Sequence, residues 1–362
     1  MSDPTVPATA PAAQLDDRHV TSYHDLTTPG ALREELAPDA DQVETVLGGR
    51  QQVRAALAGT DDRMVVVVGP CSIHDPDAAL EYAERLRALR DELAEHLIVV
   101  MRTYFEKPRT SIGWKGLIYD PHLDGSSEAD VGLRTARQVL LDVTAMGLPC
   151  AVEVLDTVTP QYYADLVSWA AVGARTVESQ VHRQLASGMS MPIGFKNGTD
   201  GRLDSAVNAV AAAVSEHAFF GVDPTGRAAV VRTDGNPDVH VVLRGGVEGP
   251  NHDADTVTAA TERTRAVTHH QRPVMVDCSH ENSGKDHRRQ HLVVEEVLAQ
   301  WHGADHGLLG IMVESNLGEG RQDWAPGREL QRGVSITDAC VGWEETDRLL
   351  RTCAEHVDAQ RG

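Results

Sequence analysis

Short apolar runs rich in β-branched residues alternate with amphipathic stretches from Met64 to the end of the chain. The runs are MVVVVGPC, LIVVMRTY, PCAVEVLD, GARTVES, MPIGFKN, VHVVLRGG, PVMVDCSH and LLGIMVES, eight in all. The stretches between and after them predict helices, for instance at 77–94, 130–146, 203–215, 286–301 and 336–359. Strands alternating with helices are typical of a parallel sheet covered by helices, and eight such units predict a single (β/α)₈ TIM barrel, an α/β fold of about 250 residues plus insertions.

Three further segments are predicted beside the plain barrel. Residues 1–38 are rich in Pro, Ala and Thr without a sustained period, which predicts a flexible N-terminal tail. Residues 39–63 are predicted to form an N-terminal extension built on one helix, because apolar residues recur there near helical spacing. HAFFGV and AAVVRT flank the turn DPTG and predict a β-hairpin at about 217–233, inserted into a catalytic barrel that spans 64–362.

Composition and charge exclude several classes of partner. The formal net charge of −21 argues against nucleic acid or an anionic membrane, because the summed field repels polyanions. No apolar run approaches the roughly 20 residues of a membrane helix. The N-terminal stretch lacks the features of a signal peptide, and the five cysteines are odd in number and widely spaced, so we expect a cytoplasmic protein with reduced thiols.

Lysine is rare in this arginine-rich chain. It occurs only at Lys107, Lys115, Lys196 and Lys285. Chance in an arginine-biased genome is one explanation; the other is that an ammonium group is needed at these positions, since Lys and Arg differ around phosphate and in proton transfer.

Polar side chains stand at the ends of the apolar runs, where a barrel builds its active-site mouth. They are Cys71, His74, Arg102, Glu153, Arg175, Glu178, Lys196, Arg244, His280 and Glu314. Any one of them could be a solvated residue at a strand end. Eight runs that all end in this way predict one functional site.

The candidate metal ligands are Cys71, His280, Glu314 and Asp338. A thiolate, an imidazole and two carboxylates suit a catalytic divalent transition metal. Taken alone, Cys71 could be a small buried apolar residue and His280 a core histidine. Candidate anion ligands are Arg102, Lys107, Arg109, Arg175, Lys196 and Arg244, which in so acidic a protein predict a pocket for anionic substrates, although solvated arginines remain the alternative.

Long motifs in these segments resemble the type I 3-deoxy-D-arabino-heptulosonate 7-phosphate (DAHP) synthases. The matching stretches are GPCSIHD (69–75), RTYFEKPRTSIGWKGL (102–117), GARTVESQVHRQLASGMSMPIGFKNGTDG (173–201), VVLRGG (241–246), VDCSHENSGKDHRRQ (276–290), IMVESNLGEG (311–320) and GVSITDACVGWE (333–344). The resemblance runs from about Val43 to the end of the chain. It implies the first reaction of the shikimate pathway to aromatic amino acids.

The resemblance also implies roles for individual residues. Cys71, His280, Glu314 and Asp338 would hold a divalent metal, namely Mn²⁺, Fe²⁺, Co²⁺ or Zn²⁺. Phosphoenolpyruvate would be bound by Arg102, Lys107, Arg175, Lys196 and Arg244, with Glu153 in the same pocket. Arg109 and Thr110 would bind the phosphate of erythrose 4-phosphate. Lys107 is the candidate proton donor to the nascent alkoxide or the mediator of water attack. The predicted catalytic residues are Lys107, Cys71 and His280.

Relatives of this type also imply regulation and assembly. They commonly carry a feedback site for Phe, Tyr or Trp, built from the N-terminal extension, the hairpin and a nearby helix, and they are homodimers or homotetramers. Extension and hairpin could instead serve only in oligomer contacts.

This chain departs from the family pattern at Glu281, where a small residue is usual, in the loop 247–249, and at Arg321. Other functions stay open: the sister synthase that uses arabinose 5-phosphate, and a catalytically retired or specialised-metabolism paralogue that acts as a regulatory subunit.

Overall fold

A closed barrel of eight parallel strands forms the centre of the computed structural model, which describes residues 16–109, 113–303, 306–325 and 327–361. The barrel strands are β1 (Met64–Gly69), β2 (Leu97–Arg102), β3 (Cys150–Val154), β4 (Trp169–Val172), β5 (Ile193–Lys196), β8 (Val239–Leu243), β9 (Val274–Asp277) and β10 (Leu308–Glu314). Neighbouring strands in sequence are neighbours in the barrel, and β10 pairs in parallel with β1 to close it. The predicted TIM-barrel fold is confirmed.

Two helices precede the first strand, and the others follow the barrel strands in turn and cover the outside of the barrel. They are α1 (Pro29–Glu35), α2 (Ala40–Leu57), α3 (Pro76–Glu92), α4 (Ala129–Ala145), α5 (Pro160–Tyr163), α6 (Gln180–Ser187), α7 (Asp204–Ala213), α8 (Ala254–Thr268), α9 (Gln290–Gln300) and α10 (Trp343–Arg361). Within the described ranges, none of them is both long and apolar enough to cross a bilayer.

Helix α2 closes one end of the barrel. It begins with a capping box in which the Asp39 carboxylate accepts from the backbone N–H of Gln42 and the Gln42 side chain accepts from that of Asp39. Val53 of α2 packs in the same buried cluster as Val65 and Ile98, which lie near the starts of β1 and β2. The extension helix therefore covers the amino-terminal ends of the strands and leaves their carboxyl ends open.

The inserted hairpin consists of β6 (His217–Val222) and β7 (Ala228–Thr233), which pair antiparallel in a sheet of their own. Helix α1 contacts its turn, because the Gly30 N–H donates to the Pro224 carbonyl oxygen at 2.7 Å. No helix was predicted in residues 1–38, of which 1–15 lie outside the described residues. The division of the chain into tail, extension and barrel at residues 38 and 63 stays a prediction.

Two details of the sequence interpretation were wrong. The fourth strand is WAAV at Trp169–Val172, and the segment GARTVES after it forms turns, with Val177 N–H donating to the Gly173 carbonyl. Two alanines give that strand little β-propensity, which is why its pattern was missed. The last helix begins at Trp343 instead of Ile336, because Cys340 and Val341 form bridges with Gly320 and Ser315 that hold this stretch extended.

A neutral histidine is buried inside the barrel. The Trp169 indole N–H donates to His240 Nε2 at 3.0 Å, so the proton of the ring is on Nδ1, which lies 3.0 Å from the Val241 carbonyl oxygen. Burial lowers the pKa of His240 to about 4 from its ordinary 6.5.

This histidine is expected to make the protein acid-sensitive. Between pH 6.5 and 4 the unfolded chain takes up a proton at His240 that the folded chain does not. The contribution of neutral His240 to the free energy of unfolding is therefore complete above pH 6.5 and is lost as pH falls toward 4. The loss amounts to roughly 3 kcal/mol. His240→Gln, which can still accept from Trp169, should show a correspondingly smaller fall in the free energy of unfolding by urea between pH 7 and 4.5. Equal falls in both proteins would show that His240 is not responsible.

Candidate active site

The carboxyl ends of the strands bring the predicted polar side chains to one mouth. Cys71 follows β1, Arg102 ends β2, Glu153 lies on β3, Lys196 ends β5, Arg244 follows β8 and Glu314 ends β10. Parallel strands in a barrel all point the same way, so these residues meet although up to 243 positions separate Cys71 from Glu314 in sequence. The mouth is a cavity of about 510 Å³.

Ten of the twelve predicted site residues line this cavity. They are Arg102, Lys107, Arg109, Glu153, Arg175, Lys196, Arg244, His280, Glu314 and Asp338. Cys71 is fully buried and contacts Lys107 in the cavity wall. Thr110 lies outside the described residues. Of the other polar residues at strand ends, His74 packs edge-on against Trp114, and Glu178 accepts from the Ser205 hydroxyl, which gives both a structural contact.

Cys71, Glu314 and Asp338 form an anionic cluster, in which one ligand atom from each lies within 4.8 Å of the others. Two of the three are buried, and the Cys71 Sγ lies 3.5 Å from Asp338 Oδ2. Burial raises the pKa of the Cys71 thiol to about 12. Asp338 behaves oppositely, since the nearby Lys107 holds its pKa well below the ordinary range. The cluster offers one sulfur and two carboxylate ligands to a cation.

His280 lies next to this cluster and is oriented by Asp277. Its Nε2 lies 3.9 Å from Glu314 Oε1, while its Nδ1 lies 2.9 Å from Asp277 Oδ2. A carboxylate on one imidazole nitrogen leaves the other free to bind a metal, as is usual around metal-binding histidines. Asp277 was missed in the sequence, although it ends the run PVMVD in the same way as the residues that were selected.

Lys107 is the cation nearest the cluster. Its Nζ lies 2.8 Å from both Cys71 Sγ and Asp338 Oδ2. Burial disfavours the charged form, but the surrounding Cys71, Asp338 and Glu314 outweigh it and raise the pKa of Lys107 well above its ordinary value. Lys107 is therefore an ammonium group that offsets the negative charge of the cluster.

Two further buried cations of the cavity, Lys196 and Arg102, pair with buried or nearly buried carboxylates. Lys196 Nζ lies 3.1 Å from Asp277 Oδ2 and 3.8 Å from Glu153 Oε2. Arg102 lies 3.1 Å from Glu314 Oε1, and its guanidinium carbon stands 4.0 Å above the centre of the Tyr104 ring. These partners hold the cationic groups in place at the cavity without neutralising the site as a whole.

A second missed residue is Glu106, which is buried in the cavity wall beside Lys107. The hydroxyl groups of Thr159 and Tyr163 donate to its Oε2 at 2.9 and 3.1 Å. Burial raises the pKa of Glu106 to about 7. The sequence could have indicated Glu106 by its position between Phe105 and Lys107. An acid in the middle of an apolar and basic motif needs a partner or a function.

Comparisons with known proteins find relatives that match nearly the whole chain. A family model described as the DAHP synthetase I family matches residues 42–351. The chain is 50% identical over 349 residues to the Tyr-sensitive phospho-2-dehydro-3-deoxyheptonate aldolase of Escherichia coli K12, and these residues cover 96% of this chain and 97% of the relative. It is 51% identical to the Phe-sensitive enzyme of the same organism, over 96% of this chain and 99% of the relative.

One solved structure is similar over nearly its whole length. It is a phospho-2-dehydro-3-deoxyheptonate aldolase from Francisella tularensis SCHU S4, with a TM-score of 0.92 and 46% sequence identity over 95% of this chain and 100% of that one.

Proposed function

The chain belongs to the DAHP synthetase I family, and on that premise we propose how its cavity carries out the DAHP synthase reaction. In this reaction C3 of phosphoenolpyruvate bonds to the aldehyde carbon of erythrose 4-phosphate. Water adds at C2 of the former enol, and inorganic phosphate leaves by cleavage of its C–O bond. The proposal is carried by the convergence of buried cations and an anionic cluster in one cavity of a chain that matches this family over most of its length.

Phosphoenolpyruvate is assigned to the basic part of the cavity, and its ligands are Arg102, Lys107, Arg175, Lys196 and Arg244. Guanidinium groups bind phosphate and carboxylate in two-point fashion, which orients the enol for attack. Arg109, which lines the same cavity, and Thr110 are assigned to the phosphate of erythrose 4-phosphate. The two anionic substrates then lie on cations that also offset the charge of the departing phosphate.

A divalent metal fits the anionic cluster. Cys71, Glu314 and Asp338 supply mixed soft and hard ligands, and His280 supplies an imidazole whose other nitrogen is oriented by Asp277. The same groups hold an ammonium, that of Lys107, which supports their affinity for positive charge. When bound, Mn²⁺, Fe²⁺, Co²⁺ or Zn²⁺ would supply Lewis-acid polarisation of the aldehyde.

Lys107 is assigned the proton transfer. Carbon–carbon bond formation turns the aldehyde oxygen into an alkoxide that needs a proton, and Lys107 is a protonated group in the wall of the same cavity. The contacts with Cys71 and Asp338 hold this half-buried ammonium group in a defined place beside the proposed metal ligands.

Phosphate release by purified protein tests the function. The chain is treated with chelator, resupplied with Mn²⁺, and given phosphoenolpyruvate with either erythrose 4-phosphate or arabinose 5-phosphate. We expect phosphate release that needs both the metal and erythrose 4-phosphate. Turnover with arabinose 5-phosphate alone would assign the sister reaction, and no turnover with either sugar would favour a regulatory paralogue. The comparisons favour neither of these alternatives.

Feedback inhibition is proposed at a separate cavity of about 610 Å³ beside the hairpin. Its wall includes Arg33 on α1, Gln161 on α5, Leu185 on α6, and Phe219 and Val231 on the hairpin. Apolar groups together with Arg33 and Asp165, which pair at 3.5 Å, suit the ring and the charged ends of an aromatic amino acid. The relatives at 50% and 51% identity are named for sensitivity to Tyr and to Phe respectively, and we propose Tyr, Phe or Trp as the effector of this chain.

Phe219→Ala should relieve this inhibition. The substitution removes an apolar contact surface from the hairpin cavity, and the concentration of effector for half-inhibition should rise roughly tenfold. Rates with increasing Tyr, Phe or Trp measure the effect. Phe219 does not line the substrate cavity among the residues described there, so KM and kcat without effector serve as the control. A variant inhibited like the unaltered protein would place the effector elsewhere.

The oligomeric state and the cellular location of the protein are also proposed. We propose a homodimer or homotetramer, supported by Phe220 and Val230, apolar side chains that are 89% and 60% exposed on the hairpin. A cytoplasmic location is supported by the five cysteines, all of which are buried and unpaired.

A further inference from the structure

Glu281 places a carboxylate in the basic part of the substrate cavity. Its Oε2 forms an ion pair with Arg244 Nη2, and its Oε1 lies 3.2 Å from Lys285 Nζ. The side chains of Arg244 and Glu281 are only 7% and 18% exposed, so water screens this pair weakly. A residue assigned to bind phosphoenolpyruvate is therefore already bound to an anion of the protein itself.

The backbone holds Glu281 at this place. Gly245, next to Arg244, adopts a φ of +74°, and a Cβ built there would lie 2.8 Å from the Glu281 Cβ. The neighbouring Asn282 side chain donates to the carbonyl oxygens of Leu243 and Asp277 at 3.0 and 2.9 Å. The segment that carries Glu281 is thus packed against the loop that carries Arg244, and the pair follows from the fold.

Arg244 keeps one donor for a further anion. Its backbone N–H donates to Asn197 Oδ1 at 2.8 Å, and its Nη1 is buried with no hydrogen-bond partner among the described residues. A phosphate that binds a guanidinium in two-point fashion needs two N–H groups. One arm of the Arg244 guanidinium is available and the other is held by Glu281.

From this geometry we infer that Glu281 is an internal competitor that lowers the affinity of the enzyme for phosphoenolpyruvate. The inference rests on the proposed function, because it takes the ligand of Arg244 to be the phosphate of that substrate. Glu281 must turn away before both arms of Arg244 bind the substrate, since a carboxylate beside a phosphate dianion is repelled. Lys285 lies close enough to receive the displaced carboxylate.

Competition of this kind reduces the apparent affinity for phosphoenolpyruvate in proportion to the fraction of molecules in which Arg244 is not paired with Glu281. If about one molecule in ten has Arg244 free, removing the carboxylate should tighten phosphoenolpyruvate binding about tenfold. The effect falls on the dissociation constant and on KM for phosphoenolpyruvate. The KM for erythrose 4-phosphate, whose phosphate is assigned to Arg109, should change little. A role for Glu281 in positioning Arg244 predicts the opposite sign, namely weaker binding when the carboxylate is removed.

Two variants separate charge from packing. Glu281→Ala removes the side chain beyond Cβ, and Glu281→Gln keeps its size but removes its charge. Glu319→Gln is the matched control, because Glu319 pairs with His287 at 3.0 Å and its loss changes the net charge by the same amount. Titration calorimetry of the full-length, Mn²⁺-supplied chain with phosphoenolpyruvate alone measures binding without turnover, and steady-state kinetics with both substrates follow.

The inference expects both Glu281 variants to bind phosphoenolpyruvate about tenfold more tightly, with Glu319→Gln within about twofold of the unaltered chain. Unchanged or weaker binding in the Glu281 variants, or no binding in any protein, would overturn it. Tight binding by Glu281→Ala alone would also overturn it, because charge would not be the cause. Turnover is measured separately: tighter binding without turnover would refute the proposed function and leave the competition standing, whereas turnover with unchanged binding would refute only the competition.

Discussion

Lys107→Met is expected to abolish DAHP synthesis while the protein still binds its metal. Methionine has a similar length but neither charge nor proton, so the nascent alkoxide loses its proposed proton donor. General acid catalysis contributes factors of roughly 10² to 10⁴, and turnover should fall by an amount in this range. The ammonium lies 2.8 Å from Cys71 Sγ and Asp338 Oδ2, so its removal leaves the anionic cluster more negative and should not weaken cation binding.

Phosphate release and metal content measure the two parts of this prediction. The matched control is Lys115→Met, a change of the same type in the same motif, at a residue that is exposed. The control should keep turnover within a few fold of the unaltered chain. Turnover retained by Lys107→Met would remove Lys107 from proton transfer, and loss of metal along with turnover would make it a structural part of the metal site.

Cys71→Ala is expected to reduce metal affinity by at least about 100-fold, since even residues that only support metal ligands contribute factors of 10 to 100. Alanine fits the fully buried position without steric conflict, so the barrel should still form. Turnover should be lost at stoichiometric metal and return in part when Mn²⁺ is in large excess, because Glu314, Asp338 and His280 remain.

Metal content after dialysis, measured by mass spectrometry, tests this loss directly and does not depend on activity. Cys150→Ala is the matched control, because Cys150 is equally buried on β3 and its sulfur contacts the Leu148 carbonyl oxygen. Equal metal retention in both variants would show that Cys71 is a core residue, as its burial alone would suggest.

The two predictions concern one electrostatic unit. Lys107, Cys71 and Asp338 contact each other, so their effects should not add. In the double variant, loss of the thiol and of the ammonium removes one potential anion and one cation together. The factor by which the double variant changes metal affinity is therefore expected to differ from the product of the two single factors.

The class of fold and the family could be predicted from the sequence. Apolar β-branched runs at regular intervals are a local property, and they predicted a closed barrel because only parallel strands covered by helices bury such runs on both faces. Motifs such as RTYFEKPRTSIGWKGL carried the family resemblance, which the comparisons confirm. Local pattern failed where propensity was weak, as at Trp169–Val172, and where bridges held residues before Trp343 out of a helix.

The contacts among the polar side chains follow only from the folded chain. In the folded chain Asp277 orients His280 and pairs with Lys196, and Glu281 pairs with Arg244. In the sequence Asp277 was one more acid in a chain with 54 acidic residues, and Glu281 was a departure from the family pattern with no assigned partner. The physical reason is that pairing between charges depends on distance and burial. These are decided when the barrel closes and brings β8, β9 and β10 together at their carboxyl ends, so no spacing along the chain encodes them.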